Sequence, residues 1–112
     1  MITGLLERAQ WYFQTHARGH EHARSIKEIE TALDLDNRSA RDIIHNLRTV
    51  AGLAIISLSS EGGYFLLNPE SSKDVEKADH FVKEQMHRKS EIDSIISPVR
   101  NVLNNLDVPL LL

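Results

Sequence analysis

The chain has 112 residues, 41% of them apolar and 26% charged, enough for about one domain with a modest core. It contains no Cys, which excludes disulfides and thiolate chemistry, and no apolar run approaches the length needed to cross a bilayer. Thirteen basic residues against sixteen acidic ones give a net charge of −3, which argues against a uniformly basic nucleic-acid footprint.

The opening residues MITGLLERAQWYF lack a basic leader ahead of a long apolar run, so a cytoplasmic location is expected. Between Ile2 and about His16, the residues Leu5, Leu6, Ala9, Trp11, Tyr12 and Phe13 recur at helical spacing. Half of the six aromatic residues stand here in a row, which predicts a helix buried on more than one side. Gly19 is expected to end that helix, and HARGHEHAR, residues 16–24, reads as a loop.

Ser25 then begins a second helix as its N-cap, with Glu28 at the third helical position completing a capping box. Ile26, Ile29, Ala32 and Leu33 form the inner stripe of that helix. Asp34-Leu35-Asp36 supplies a turn, and Asp36 or Asn37 caps the next helix. Over residues 37–51, at about 100° per residue, Ala40, Ile43, Ile44, Leu47, Val50 and Ala51 fall in one arc. Arg38, Arg41, His45 and Arg48 fall opposite, with Asp42 and Thr49 beside them. From Arg38 to Arg48 three Arg meet one Asp, a local excess of positive charge inside an acidic chain. Gly52 stops this helix.

Residues 54–58 and 64–67 read as two strands of a hairpin, turned by Ser59-Ser60-Glu61-Gly62-Gly63, where glycine permits positive φ. Asn68-Pro69 marks another turn, and Ser71 or Ser72 opens a last helix. Along it Val75, Ala78, Val82, Gln85, Lys89, Ile92, Ile96, Val99, Leu103 and Leu106 alternate spacings of three and four, a heptad seam with two polar interruptions. From Ser72 to Ser97 such a helix is roughly 39 Å long, more than a small globule covers. Ser97-Pro98 either kinks it or opens a further helix. The end, LDVPLLL, is a short apolar tail.

Helix, turn, helix and then hairpin is the order of a winged helix-turn-helix, which sets its second helix in the DNA major groove. The expected fold is therefore mainly α (α+β). A winged helix-turn-helix over residues 1–68 is followed by a helical dimerisation extension over 69–112. The chain resembles bacterial regulators of the biotin-repressor type. It resembles more closely the small winged-helix proteins of bacteriophages and related mobile elements. Their recognition helix reads Arg-x-x-Arg-x-x-Ile-x-x-Leu-Arg-x-x-Gly, and here Arg38, Arg41, Ile44, Leu47, Arg48 and Ala51-Gly52 occupy that pattern. Gly52-Leu53-Ala54-Ile55 stands where those relatives carry Gly-x-Pro-Ile, and Gly63-Tyr64-Phe65 where they carry a Gly-Tyr-Tyr wing strand. The resemblance covers about residues 25–90 and implies DNA binding. Glu61 is the only charge in the wing.

Arginine pairs bidentately with guanine or grips phosphate with its planar fork, so Arg38 and Arg41 are assigned to bases or nearby phosphates. Arg48, more than two turns on, is assigned to the DNA backbone, and Asn37 and Ser39 at the helix start to a phosphate. Asp42 and His45 complete the candidate DNA-binding face. Val82, Gln85, Lys89, Ile92, Ile96 and Val99 are the candidate dimerisation residues, pairing with a second copy of the chain. The partners expected are double-stranded DNA and a homodimer mate, with no membrane, and Val108 to Leu112 offers a docking peptide for another protein.

His16, His20 and His22 with Glu21 form a group of the kind that binds zinc. No Cys joins them and Gly19 breaks the i, i+4 geometry, so no metal site and no cofactor is assigned. No Ser/His/Asp order, glycine-rich phosphate loop or pair of acids supports catalysis, so the chain is not read as an enzyme. The leading expectation is a dimeric bacterial or phage transcriptional regulator. The alternative is a protein-interaction module, such as a phage replication accessory protein.

Overall fold

A computed structural model describes residues 4–106. The architecture is mainly helical, with one two-stranded antiparallel hairpin and a long last helix. In chain order come α1 (Leu5–His16), a single 3-10 turn (His20–His22), α2 (Ile26–Leu33), α3 (Asn37–Thr49), β1 (Ile55–Ile56), β2 (Phe65–Leu66) and α4 (Ser72–Asn105). The expected start of α1 at Ile2 and the apolar tail from Val108 to Leu112 lie outside the described residues. No described helix is long and apolar enough to cross a membrane.

The helix starts follow from side-chain chemistry. Ser25 Oγ accepts the Glu28 amide at 3.1 Å while the Glu28 carboxylate accepts the Ser25 amide at 3.0 Å, so two otherwise unpaired N–H groups of α2 are satisfied. Asp36 caps α3, its carboxylate accepting the Ser39 amide at 2.8 Å. At the other end of α2, Asp34 takes a left-handed conformation (φ 55), and Arg8 of α1 reaches over to donate to the Leu33 carbonyl at 3.1 Å. A cation on the last carbonyls of a helix suits both their lone pairs and the helix dipole.

Three helices and the first strand share one core. Ala9, Tyr12, Phe13 and Ala17 from α1 and its end meet Ile29 and Leu33 of α2, Ala40, Ile43, Ile44 and Leu47 of α3, and Ile55 of β1. The prediction that α1 is buried on more than one side does not hold for Trp11, which is 59% exposed while Tyr12 and Phe13 are buried. Successive helical residues turn by about 100°, so three adjacent aromatic residues cannot all face one core.

β1 and β2 pair antiparallel with Ile55 opposite Leu66 and Ile56 opposite Phe65. The turn between them contains Gly62 and Gly63 at φ 69 and 76, conformations that favour glycine. The α1–α2 connection, expected to be loop, also pairs with β2. Arg24 and Tyr64 exchange two backbone hydrogen bonds (2.9 and 2.8 Å), the Leu66 amide donates to the Ala17 carbonyl at 2.7 Å, and the Gly19 amide donates to the Leu66 carbonyl at 2.8 Å. β2 is thus held on both edges, and the hairpin is joined to the helical core by backbone bonds as well as by Ile55 and Leu66.

α4 continues through Pro98 as one helix to Asn105, so neither an end at Ser97 nor a second helix is observed. The described residues divide into two compact units between Phe81 and Val82. The first contains α1 to β2 and the opening turns of α4. The second is the remainder of α4, whose Val82, Ile92, Ile95, Val99 and Val102 are exposed.

Candidate nucleic-acid interface

α3 turns its apolar face inward, and this decides what is left outside. Ala40, Ile43, Ile44 and Leu47 are buried, while Asn37, Arg38, Arg41, Asp42 and His45 are exposed and Ser39 is half-buried. Asn37 and Arg41 are ordered along this face. Arg41 Nε donates to Asn37 Oδ1 at 2.9 Å, and Asn37 Nδ2 donates to a Glu30 carboxylate oxygen on α2 at 3.3 Å. This relay draws Arg41 toward the helix start. Arg38 is exposed and makes no hydrogen bond or ion pair among the described residues.

Arg48 is set apart from the other three basic residues of the predicted arc. Its Nε and Nη2 both donate to the Ile55 carbonyl at 3.1 and 3.0 Å, and Nη2 also donates to Ser57 Oγ at 3.2 Å. The guanidinium lies 5.2 Å from the Phe81 ring centroid, a cation–π contact with α4. Burial lowers the guanidinium's hold on its proton, opposed by nearby Tyr64, but an arginine remains charged at any physiological pH. Arg48 therefore braces α3, β1 and the first part of α4 against one another, and its charge is used inside the molecule.

Between α3 and β2 lies an open cleft of about 150 Å³ lined by Arg41, Ile44, His45, Arg48 and Tyr64. It places the His45 ring and the Tyr64 ring beside two guanidinium groups, a basic recess next to the exposed α3 face. At the hairpin tip, Glu61 is paired with Lys77 of α4 at 2.6 Å, and that hydrogen bond holds its carboxyl below the ordinary range. The acid at the hairpin turn is thereby offset by a cation from α4.

Sequence reasoning missed the polar centre of this unit. Asp74, in the first turn of α4, is fully buried. Its carboxylate accepts the His20 amide at 2.9 Å and the Asn68 amide at 2.9 Å, and it also bonds the His20 ring at Nδ1. Burial pushes its pKa up, but the hydrogen bonds from the His20 and Asn68 amides and from the His20 ring outweigh that and hold it below the usual carboxylate value. The available signal was Ser71-x-x-Asp74, a capping-box pattern. Ser71 Oγ does accept the Asp74 amide at 3.2 Å, but the carboxylate turns away to the α1–α2 connection.

The three histidines expected to cluster are dispersed. His20 joins Asp74, His16 packs edge-on to Trp11 at 5.3 Å, and His22 is exposed. Among the described residues no group of three or more His, Asp or Glu is placed to hold a metal ion. Comparison of the chain with family models, with curated proteins and with solved structures returns no match.

Proposed function

We propose that the chain is a winged helix-turn-helix protein that binds double-stranded DNA through the outward face of α3. Arg38 and Arg41 reach base edges or adjoining phosphates, and Asn37, Ser39, Asp42 and His45 border them. The observation that carries the reading is the α3 face itself: its apolar side is spent on the core, and Arg38 and Arg41 are left in solvent at its first turns. The element order α2, turn, α3, hairpin supports it, because early residues of a second helix are those that enter a major groove. The basic recess at Arg41, His45 and Tyr64 adds a place for a phosphate beside that face. Arg48 serves by holding the helix to the hairpin. Transcriptional regulation by a dimer paired through α4 is the role proposed. The net charge of −3 favours a second reading, a protein partner gripped by the same face.

Salt separates the two. Titration of a fluorescent pool of random duplexes with the full chain is expected to give binding at low salt. With about three phosphates neutralised per chain, affinity falls roughly 40-fold between about 50 and 200 mM salt. The Arg38→Ala/Arg41→Ala variant loses binding and stays folded, since neither side chain is buried. Absence of duplex binding at the lowest salt overturns the reading in favour of a protein partner.

A further inference from the structure

The second compact unit carries an apolar stripe that is exposed among the described residues. Ile92, Ile95 and Val99 are 55%, 72% and 60% exposed, and Ile96, Val102 and Leu106 are exposed as well. At 100° per residue these side chains and Leu103 fall within about a third of the helix circumference. Ser90, Ser94, Ser97, Asn101 and Asn105 occupy the opposite side, which is polar but uncharged. Pro98 lies on that side too, so the carbonyl it leaves without an intrahelical amide, that of Ser94, faces away from the stripe.

We infer that this stripe pairs antiparallel with the same segment of a second copy of the chain, with Ile92 against Leu103, Ile96 against Val99, and Asp93 joined to Arg100 on both ends of one edge. The inference rests on the dimer reading above and adds its direction and register.

The heptad pattern puts Ile96 and Leu103 at one core position and Ile92 and Val99 at the other, with Asp93 and Arg100 on one flank and Ile95 and Val102 on the other. Two-fold symmetry dictates which flanks meet. In an antiparallel pair the axis runs perpendicular to the helices, so each flank faces its own equivalent. In a parallel pair the axis runs along them, so opposite flanks meet. The antiparallel register that stacks Ile92 on Leu103 and Ile96 on Val99 brings Asp93 to Arg100 twice and Ile95 to Val102 twice. Asp93 and Arg100 then each meet an opposite charge, and Ile95 and Val102 each meet an apolar side chain.

The parallel alternative places Arg100 on Ile95 and sets the two Lys89 ammonium groups face to face in the core. It offers Asp93 only Arg88, which already lies 3.9 Å from Glu84 in its own helix. Asp93 and Arg100 have no ion-pair partner among the described residues, and two turns of helix, about 10.5 Å, keep them from pairing with each other. In the antiparallel register Lys89 falls beside Leu106 at the end of the overlap, where its ammonium reaches water.

Sedimentation equilibrium of the full chain tests this with charge exchange. The unmodified chain is expected to be a dimer. Asp93→Arg and Arg100→Asp each replace two attractions by two repulsions and weaken it by roughly tenfold, and the doubly exchanged Asp93→Arg/Arg100→Asp variant recovers most of the loss. Lys89→Cys gives no disulfide-linked dimer on oxidation, because the two positions stand about 25 Å apart along the pair. A doubly exchanged variant as weak as the singles, or a ready Lys89→Cys cross-link, overturns the register while leaving the dimer in place. A monomeric unmodified chain overturns both.

Discussion

Asp74→Asn is expected to lower the unfolding free energy by roughly 2–4 kcal/mol at neutral pH, among the largest effects of a near-isosteric change in this chain. The carboxylate accepts from two backbone amides and one imidazole nitrogen in a site closed to water. An asparagine of the same shape turns an NH₂ group toward donors, so at least one N–H loses its acceptor and faces another donor instead. The loss falls where the α1–α2 connection, the turn after β2 and the start of α4 meet.

Acid dependence gives the same prediction a second edge. The folded-state pKa of Asp74 lies below its ordinary value of 3.8. A carboxyl with a depressed folded pKa contributes stability that is fully present above the unfolded value and is lost as pH falls through the folded one. The stability gap between the unmodified chain and Asp74→Asn should therefore be constant above about pH 5 and narrow below about pH 4. Denaturant unfolding at a series of pH values measures both features. A gap that persists unchanged at pH 2–3 assigns the loss to packing instead of charge.

Arg48→Ala is expected to cost about 1.5–3 kcal/mol, whereas Arg41→Ala should leave stability within about 0.5 kcal/mol. Both lie on the side of α3 away from Ile43 and Leu47, so a reading of helical angle alone treats them alike. Removing Arg48 leaves the Ile55 carbonyl without its two donors and takes the guanidinium away from the Phe81 ring. Arg48→Lys should recover only part of the loss, since an ammonium cannot reproduce two bonds from one planar fork to a single carbonyl. Thermal unfolding of the three variants checks the order. Equal effects at Arg41 and Arg48 would contradict the division of labour along α3.

Local signals in the sequence carried further than distant ones. The Ser25–Glu28 box, the Asp36 cap, the inward stripe of α3 from Ala40 to Leu47 and the Gly62-Gly63 turn each depend on residues a few positions apart, and each is found where the pattern put it. Val50, assigned to the same stripe, follows the end of the helix and is 71% exposed. The pairing of residues 17–24 with β2 rests on backbone hydrogen bonds, which no side-chain period reports. Arg48 diverges from Arg38 and Arg41 because β1 and α4 pass the last turn of α3 and not the first; helical periodicity supplies an angle but no height. Asp74 was not legible in the sequence because its partners, His20 and Asn68, are brought to it only by the folded chain. The outward residues of α3 were legible, but their ligand was not, since the same guanidinium groups suit a phosphate, a base edge or an acidic protein.

The central claim is that the solvent face of α3 meets a duplex. Backbone amide chemical shifts of the full chain, recorded as a duplex is added at low salt, test it most directly. The account predicts changes concentrated at Arg38, Ser39, Arg41, Asp42 and His45 and near Tyr64, with residues 92–106 unmoved. Shifts that spare α3, or none at all, would contradict it.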